Sequence, residues 1–344
     1  MSRRAFIVGG AGQIGRAVAA ELLDQGWRVT LSGRGGRPMP EDLIARGATI
    51  ALLDREQPGA LAEALADGAD AVIDTVAYTQ AHADQLLEVE GDVGALVVIS
   101  SASVYRDDAG RSLGEAGRLG FPDFPQPITE DQPTVEPGPE SYSSRKVALE
   151  RRLLDRAKGP VGILRPCAIH GPCSVHPREW WFVKRMLDGR PVIPLAYRGL
   201  SRFHTSAVAN IAALTGTALD RPGTRVLNAA DPEALSVAEI GALIAAHLGY
   251  GGAILPLDLS DEKGAAAIGD TPWSTPAPFV LDMGAATALG YRPATSYPSA
   301  VGPICDGLAA AQGQDWKTLF PVLASYPGDL FDYAAEDAFL STLP

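Results

Sequence analysis

Cysteine is scarce in this chain: Cys167, Cys173 and Cys305 are the only three in 344 residues, and three cannot all pair. A disulfide framework is therefore not expected, and a reducing compartment fits the composition best. The five histidines stand at no metal-ligand spacing to those thiols, so no metal site is expected either. The cysteines read as small buried hydrophobes. Positive charge is also in short supply. With 29 basic and 41 acidic side chains the net charge is −12, whereas broad binding to nucleic acid or to an anionic membrane needs a positive surface. Long apolar runs are missing as well, since stretches such as residues 95–99 are far too short to span a bilayer. The chain opens Met-Ser-Arg-Arg without an apolar leader, and a cytoplasmic protein is the expectation.

What is present is ordinary soluble material, with 46% hydrophobic and 20% charged residues. The length is large for one core, so two lobes are expected. Short apolar runs at 4–8, 27–31, 49–53, 71–73, 95–99 and 161–164 read as strands. Helical spacing fills 14–23, 59–65, 80–88 and 141–156 between them. This alternation predicts an α/β fold, a doubly wound parallel sheet of the Rossmann type, with strands buried on both faces. Residues 106–140, rich in Gly, Pro and acids, read as a long loop. Further on, helices are expected to end at Leu187 and to span 206–219 and 237–248, with a strand at 225–227. Residues 270–278 read as a loop, and the aromatic, acidic stretch 311–344 has no assignable role. The expected division is a dinucleotide-binding domain over 1–165 with a return from about 203–230, then a smaller substrate-binding lobe over 166–310.

The first chemical signal is Gly9-Gly10-Ala11-Gly12-Gln13-Ile14-Gly15, which follows a strand and opens a helix. Gly9 permits the tight turn, Gly12 lets backbone N–H groups near Gln13 and Ile14 approach a pyrophosphate, and Gly15 lets helix pack on strand. The anion then sits at the positive end of the helix. The second strand ends Leu31-Ser32-Gly33-Arg34 with no acid to receive ribose hydroxyls. Arg34, beside Ser32 and followed by Arg37, suits a 2′-phosphate, which favours NADP over NAD; the plain alternative is a solvated loop cation.

The second signal is Tyr142-Ser143-Ser144-Arg145-Lys146, a phenol and an ammonium one helical turn apart. A phenol titrates near 10 and is a poor base at neutral pH; a nearby ammonium is expected to lower that value. Serines at the end of the fifth strand, Ser100, Ser101 and Ser103, are candidates to hold a substrate oxygen. Tyr-x-x-x-Lys alone carries little weight. Its value comes from following a glycine loop and strand-end serines in that order, and the set suits hydride transfer at a carbinol or carbonyl carbon.

In that order, with Leu164-Arg165-Pro166-Cys167-Ala168-Ile169-His170-Gly171-Pro172 after it, the chain resembles the extended short-chain dehydrogenase/reductases. More narrowly it is similar to the NAD-dependent epimerase/dehydratase group, over about residues 4–250. The resemblance implies that Ser101 is the catalytic hydroxyl, Tyr142 the acid/base, and Lys146 the residue that also holds the nicotinamide ribose. It places Asp54 near the adenine, and Val76 and Ala77 along the cofactor. It implies a homodimer as the usual assembly. Departures matter: Ala102 and Ser103 replace the Asp-Glu pair of dehydratases, so elimination is not expected. Ala168 replaces an asparagine that touches substrate, and Ser201-Arg202-Phe203-His204-Thr205 displaces a familiar arginine, which weakens the case for a nucleotide-diphosphate sugar. Carbonyl reduction and epimerisation both stay open, with a non-catalytic cofactor-sensing or RNA-associated regulator as the rival from another class. Trp180 or Trp181 is a candidate to stack on substrate, though core is the default for both. His170, His204 and Arg202 are weaker candidates of the same kind.

Overall fold

Seven parallel strands form the sheet that organises the first half of the chain. They are β1 (Arg4–Val8), β2 (Arg28–Gly33), β3 (Thr49–Leu52), β4 (Ala71–Asp74), β5 (Leu96–Ile99), β6 (Val161–Pro166) and β7 (Arg225–Ala229). Their order across the sheet is β7-β6-β5-β4-β1-β2-β3. The computed structural model describes residues 2–259 and 268–343. The chain divides into two units, the first made of Met1–Ile169, Val208–Ala230 and Leu281–Ala294.

The alternation along each strand explains why helices cover both faces. In β1, Ala5 and Ile7 enter one apolar cluster while Phe6 and Val8 enter the other. The first cluster lies under α1 (Gln13–Asp24) and the helix Val208–Asp220; the second lies under α2 (Gln80–Val89) and α3 (Tyr142–Arg156). Ile7, Leu22, Val72 and Ile163 are fully buried. One strand departs from the expected burial on both faces. β3 pairs only with β2 at the sheet edge, and Leu52 is 80% exposed there. The stretch expected as loop from 106 to 140 is irregular apart from short helices at Leu113–Glu115 and Ala116–Leu119.

Residues 281–294 belong to this first unit, although the sequence reading put them in the substrate lobe. Ala286 and Tyr291 complete the core beside β7, and the Ala294 N–H donates to Asn210 Oδ1 at 2.8 Å. Asn228 ties the segment down. Its Nδ2 donates to the Ile128 and Asp282 carbonyls at 3.0 and 3.1 Å, its Oδ1 accepts from the Tyr105 hydroxyl at 2.7 Å, and its N–H donates to Glu130. Below it the buried Arg165 and Glu150 pair at 2.5 Å.

The second unit, His170–Ala207, Asp231–Val280 and Thr295–Pro344, packs the helices Trp180–Leu187, Val237–Leu248 and Tyr297–Ala309 beside a parallel pair, Val192–Leu195 with Ala253–Pro256. Trp180 and Trp181 are both buried here, so neither presents a face for stacking on substrate. His170 Nε2 bonds Asp231 Oδ2 at 2.6 Å and His204 Nε2 lies 2.9 Å from the Asp231 carbonyl, which makes both histidines structural partners. Arg202 bonds the Ala234 carbonyl and pairs with Glu239. The stretch 311–344 is anchored through a buried Arg185–Glu336 pair at 2.5 Å. Among the described residues no helix is long and apolar enough to cross a membrane, and no cluster of potential metal ligands occurs.

Candidate active site

The carboxyl ends of β1, β2 and β4 open onto a cavity of about 740 Å³, and such crevices are where open α/β sheets take ligands. The glycine loop forms one wall. Gly9 has φ +85°, and a Cβ there would lie 2.5 Å from Thr75 Oγ1 and 2.7 Å from Val76. At Gly15 a Cβ would lie 2.4 Å from the Gly9 carbonyl oxygen, so the helix can start only where it does because both residues lack side chains. Gly12 is the N-cap of α1 and offers no side-chain cap, which leaves the first amide N–H groups of the helix for an anion. This cradle fits a dinucleotide pyrophosphate.

The other sequence-chosen residues are placed as follows. Gln13 begins α1, while Ile14 turns its side chain into the core and has only its backbone to offer. Ser32 lines the cavity, yet its buried hydroxyl donates to the Ile7 carbonyl at 3.1 Å. Arg34 and Arg37 line the cavity and are exposed, with no ion pair among the described residues. Val76 lines it too. Asp54 does not; its carboxylate accepts from the Glu56 N–H at 3.3 Å, while Arg55 and Glu56 form the wall in its place. Ala77 is buried and contributes its carbonyl to Lys146.

Tyr142, Ser101 and Lys146 are not among the residues that line the cavity. A capping box between Ser141 and Ser144 fixes the start of α3, so Tyr142 is its first residue. Although Tyr142 is 49% exposed, desolvation pushes its phenol above its ordinary value; a hydrogen bond with Ser101 pulls the other way, and Tyr78 adds to the rise. Ser101 is itself held by the Ser103 hydroxyl at 2.9 Å, and Ser143 donates to the Ser103 carbonyl at 2.8 Å. Lys146 is buried, and its Nζ donates to the Ala77 and Ile99 carbonyls at 2.6 and 2.9 Å. Burial lowers its pKa to about 8, against the pull of Asp74 and Glu150. The ammonium lies 5.8 Å from the Tyr142 ring centroid and makes no hydrogen bond to the phenol. Desolvation is the largest influence on each of the two groups.

Sequence reasoning missed four residues. Arg55 is buried against Asp74 at 2.5 Å and faces the cavity. Asp74 Oδ1 also accepts from the Val76 N–H at 3.0 Å, which fixes the 75–77 turn. His82 lines the cavity; its Nδ1 accepts from the Tyr78 N–H at 2.9 Å, so the proton sits on Nε2, facing Glu56 at 3.2 Å. Burial and Arg55 keep His82 below its usual pKa. Tyr78 packs on Tyr142 with centroids 5.4 Å apart. A charged pair at the ends of two strands successive in the sequence, Arg55 after β3 and Asp74 closing β4, was the signal available for the first two.

The chain matches the sequence model of the "NAD dependent epimerase/dehydratase family" over residues 5–220. A curated protein of Arabidopsis thaliana, the chloroplast stem-loop binding protein of 41 kDa b, is 28% identical over 222 residues, 61% of this chain and 53% of that one. The chain thus spans about half the length of that relative. Among solved structures, a Thermus thermophilus UDP-glucose 4-epimerase in complex with NAD aligns with a TM-score of 0.64 and 19% identity, over 90% of this chain and 99% of the other. A Thermotoga maritima UDP-glucose 4-epimerase with UDP-glucose aligns at 0.66 and 16%, over 90% and 99%. At these identities the likeness is one of fold.

Proposed function

The chain belongs to the NAD-dependent epimerase/dehydratase family, and from that premise we propose that it is an oxidoreductase acting at a carbinol or carbonyl carbon of a small substrate, with NADPH as its preferred cofactor. The bound dinucleotide supplies the hydride acceptor or donor. Tyr142 gives or takes the proton at the substrate oxygen through its hydroxyl. Ser101, held by Ser103, bonds the same phenol and orients that oxygen. Lys146 is aimed by two carbonyls from the ends of β4 and β5 and serves as the ribose-binding cation. The observation that carries the reading is this grouping of Ser101, Tyr142 and Lys146 in the same unit as a glycine cradle that a Cβ would fill.

The NADPH preference is supported by Arg34 and Arg37 on the cavity wall and by Gly33 where an acid would repel a 2′-phosphate. With Ala102 and Ser103 after the catalytic hydroxyl, dehydration lacks its acid/base pair. Net carbonyl reduction is our first reading. Epimerisation, with the cofactor recycled, is the second, favoured by the solved structures named as sugar epimerases.

Thermal-shift screening of nucleotide sugars and hydroxy or keto compounds with NADPH identifies a substrate. The nicotinamide absorbance during turnover then separates the two readings, since only net reduction changes it. Tyr142→Phe is expected to cost about 10²–10⁴-fold in turnover with cofactor affinity nearly intact. Normal turnover by that variant would refute the assignment. Tight binding of an RNA stem-loop with no turnover on any substrate would favour the non-catalytic reading, in line with the stem-loop binding that the Arabidopsis relative's name states.

A further inference from the structure

Helix α3 begins with an unfavourable distribution of charge. Arg145 and Lys146 both lie within its first five residues, and its first turn holds no acid. Aligned peptide dipoles make that end positive, so cations are disfavoured there. Lys146 is accounted for by its two carbonyl acceptors and its role beside Tyr142. Arg145 is not. Its Nε donates to the Pro139 carbonyl at 2.7 Å, its Nη1 donates to the Tyr78 hydroxyl at 3.3 Å, and its guanidinium sits 5.5 Å from the Tyr78 ring centroid. It makes no ion pair among the described residues, in a chain where 41 acids outnumber 29 bases. The nearest acid in sequence, Glu140, lies back against Gly138.

The Pro139 carbonyl and the Tyr78 hydroxyl take two N–H groups, and a guanidinium brings five in a planar fork matched to an oxyanion. Tyr78, the ring beneath it, packs on the Tyr142 ring at 5.4 Å. A half-buried, uncompensated cation therefore stands one aromatic ring away from the proton-carrying phenol.

We propose that Arg145, presented on the Tyr78 ring, is an oxyanion subsite of the active site, so that the substrate carries a carboxylate or phosphate group close to its reacting carbon. This rests on the assignment of Tyr142 given above, and it deepens that assignment by naming a substrate class. Tyr78 supplies a flat apolar floor, and Arg145 supplies the fork at its edge.

The test needs no turnover, so its failure is distinct from failure of the Tyr142→Phe experiment. NADPH-loaded protein is titrated with gluconate, with glucitol 6-phosphate and with neutral glucitol, reading the fluorescence of the bound nicotinamide. At least one of the two oxyanions is expected to bind about tenfold or more tighter than glucitol, as a charge-assisted pair gives. The tighter of the two identifies the group. Arg145→Met is expected to abolish the difference and Arg145→Lys to restore part of it, with NADPH affinity in both variants within about twofold of the parent. Equal binding of all three probes, no binding by either oxyanion, discrimination that survives Arg145→Met, or a loss of NADPH affinity in that variant each overturns the proposal.

Discussion

Lys146→Met is the perturbation that tests the site's electrostatics most directly. In the folded protein the ammonium is 6% exposed and its pKa falls from 10.5 to about 8. At 1.36 kcal/mol for each tenfold change in proton affinity, that difference is worth about 3 kcal/mol. The sign follows from proton counting. Between the folded and unfolded values the unfolded chain binds the proton and the native one does not, so stability rises with pH across that window. Below about 8 the fold carries the full cost of a buried ammonium; as pH climbs toward 10.5 the cost falls away. Replacing the lysine also leaves the Ala77 and Ile99 carbonyls without a donor, a penalty that does not depend on pH. The prediction therefore concerns the difference between parent and variant, not either curve alone. Urea unfolding of both proteins from about pH 7 to pH 10.5 should show the parent gaining about 3 kcal/mol relative to Lys146→Met. Parallel curves would mean that the lysine keeps its proton in the fold, and that burial does not control its chemistry.

Three other outcomes are expected. Arg34→Ala should weaken NADPH about tenfold and leave NADH unchanged by calorimetric titration, as loss of one charge-assisted contact requires; equal effects on both cofactors would remove Arg34 from phosphate recognition. Gly15→Ala forces a Cβ to within 2.4 Å of the Gly9 carbonyl oxygen and should cost about 1–3 kcal/mol in urea unfolding, together with most dinucleotide affinity. Glu150→Gln leaves the buried Arg165 guanidinium without its counter-charge and should lower stability by about 3–5 kcal/mol; a variant as stable as the parent would show that the pair contributes no net stabilisation.

The parts of this site that were legible in the sequence are those written locally. Gly9 and Gly15 must be glycines, and Tyr142 with Lys146 must be four residues apart on one helix, so each motif carries its own geometry. The cavity wall is different. Arg55 follows β3, His82 lies on α2 and Val76 follows β4, and only the parallel register brings them together. Asp54 shows how fine the margin is: the turn after β3 delivers its two successors to the wall and turns Asp54 to a local N–H. The pKa of Lys146 was illegible for another reason. Spacing reports the distance between two charges along a helix, whereas burial, opposed by Asp74 and Glu150, decides which protonation state the fold favours. The segment 281–294 lacks a periodic pattern of its own, and its place depends on Asn228.

That dependence has a consequence for how the protein is made. The unit holding the glycine cradle is not a continuous piece of chain, because Ala286 and Tyr291 fill its core and Asp282 receives an Asn228 bond. During synthesis, then, the sheet can assemble early but cannot close its last core layer until residue 294 has left the ribosome. A nascent chain arrested after residue 230 should expose apolar surface beside β7 and recruit chaperones, and release of the next 64 residues should silence that signal.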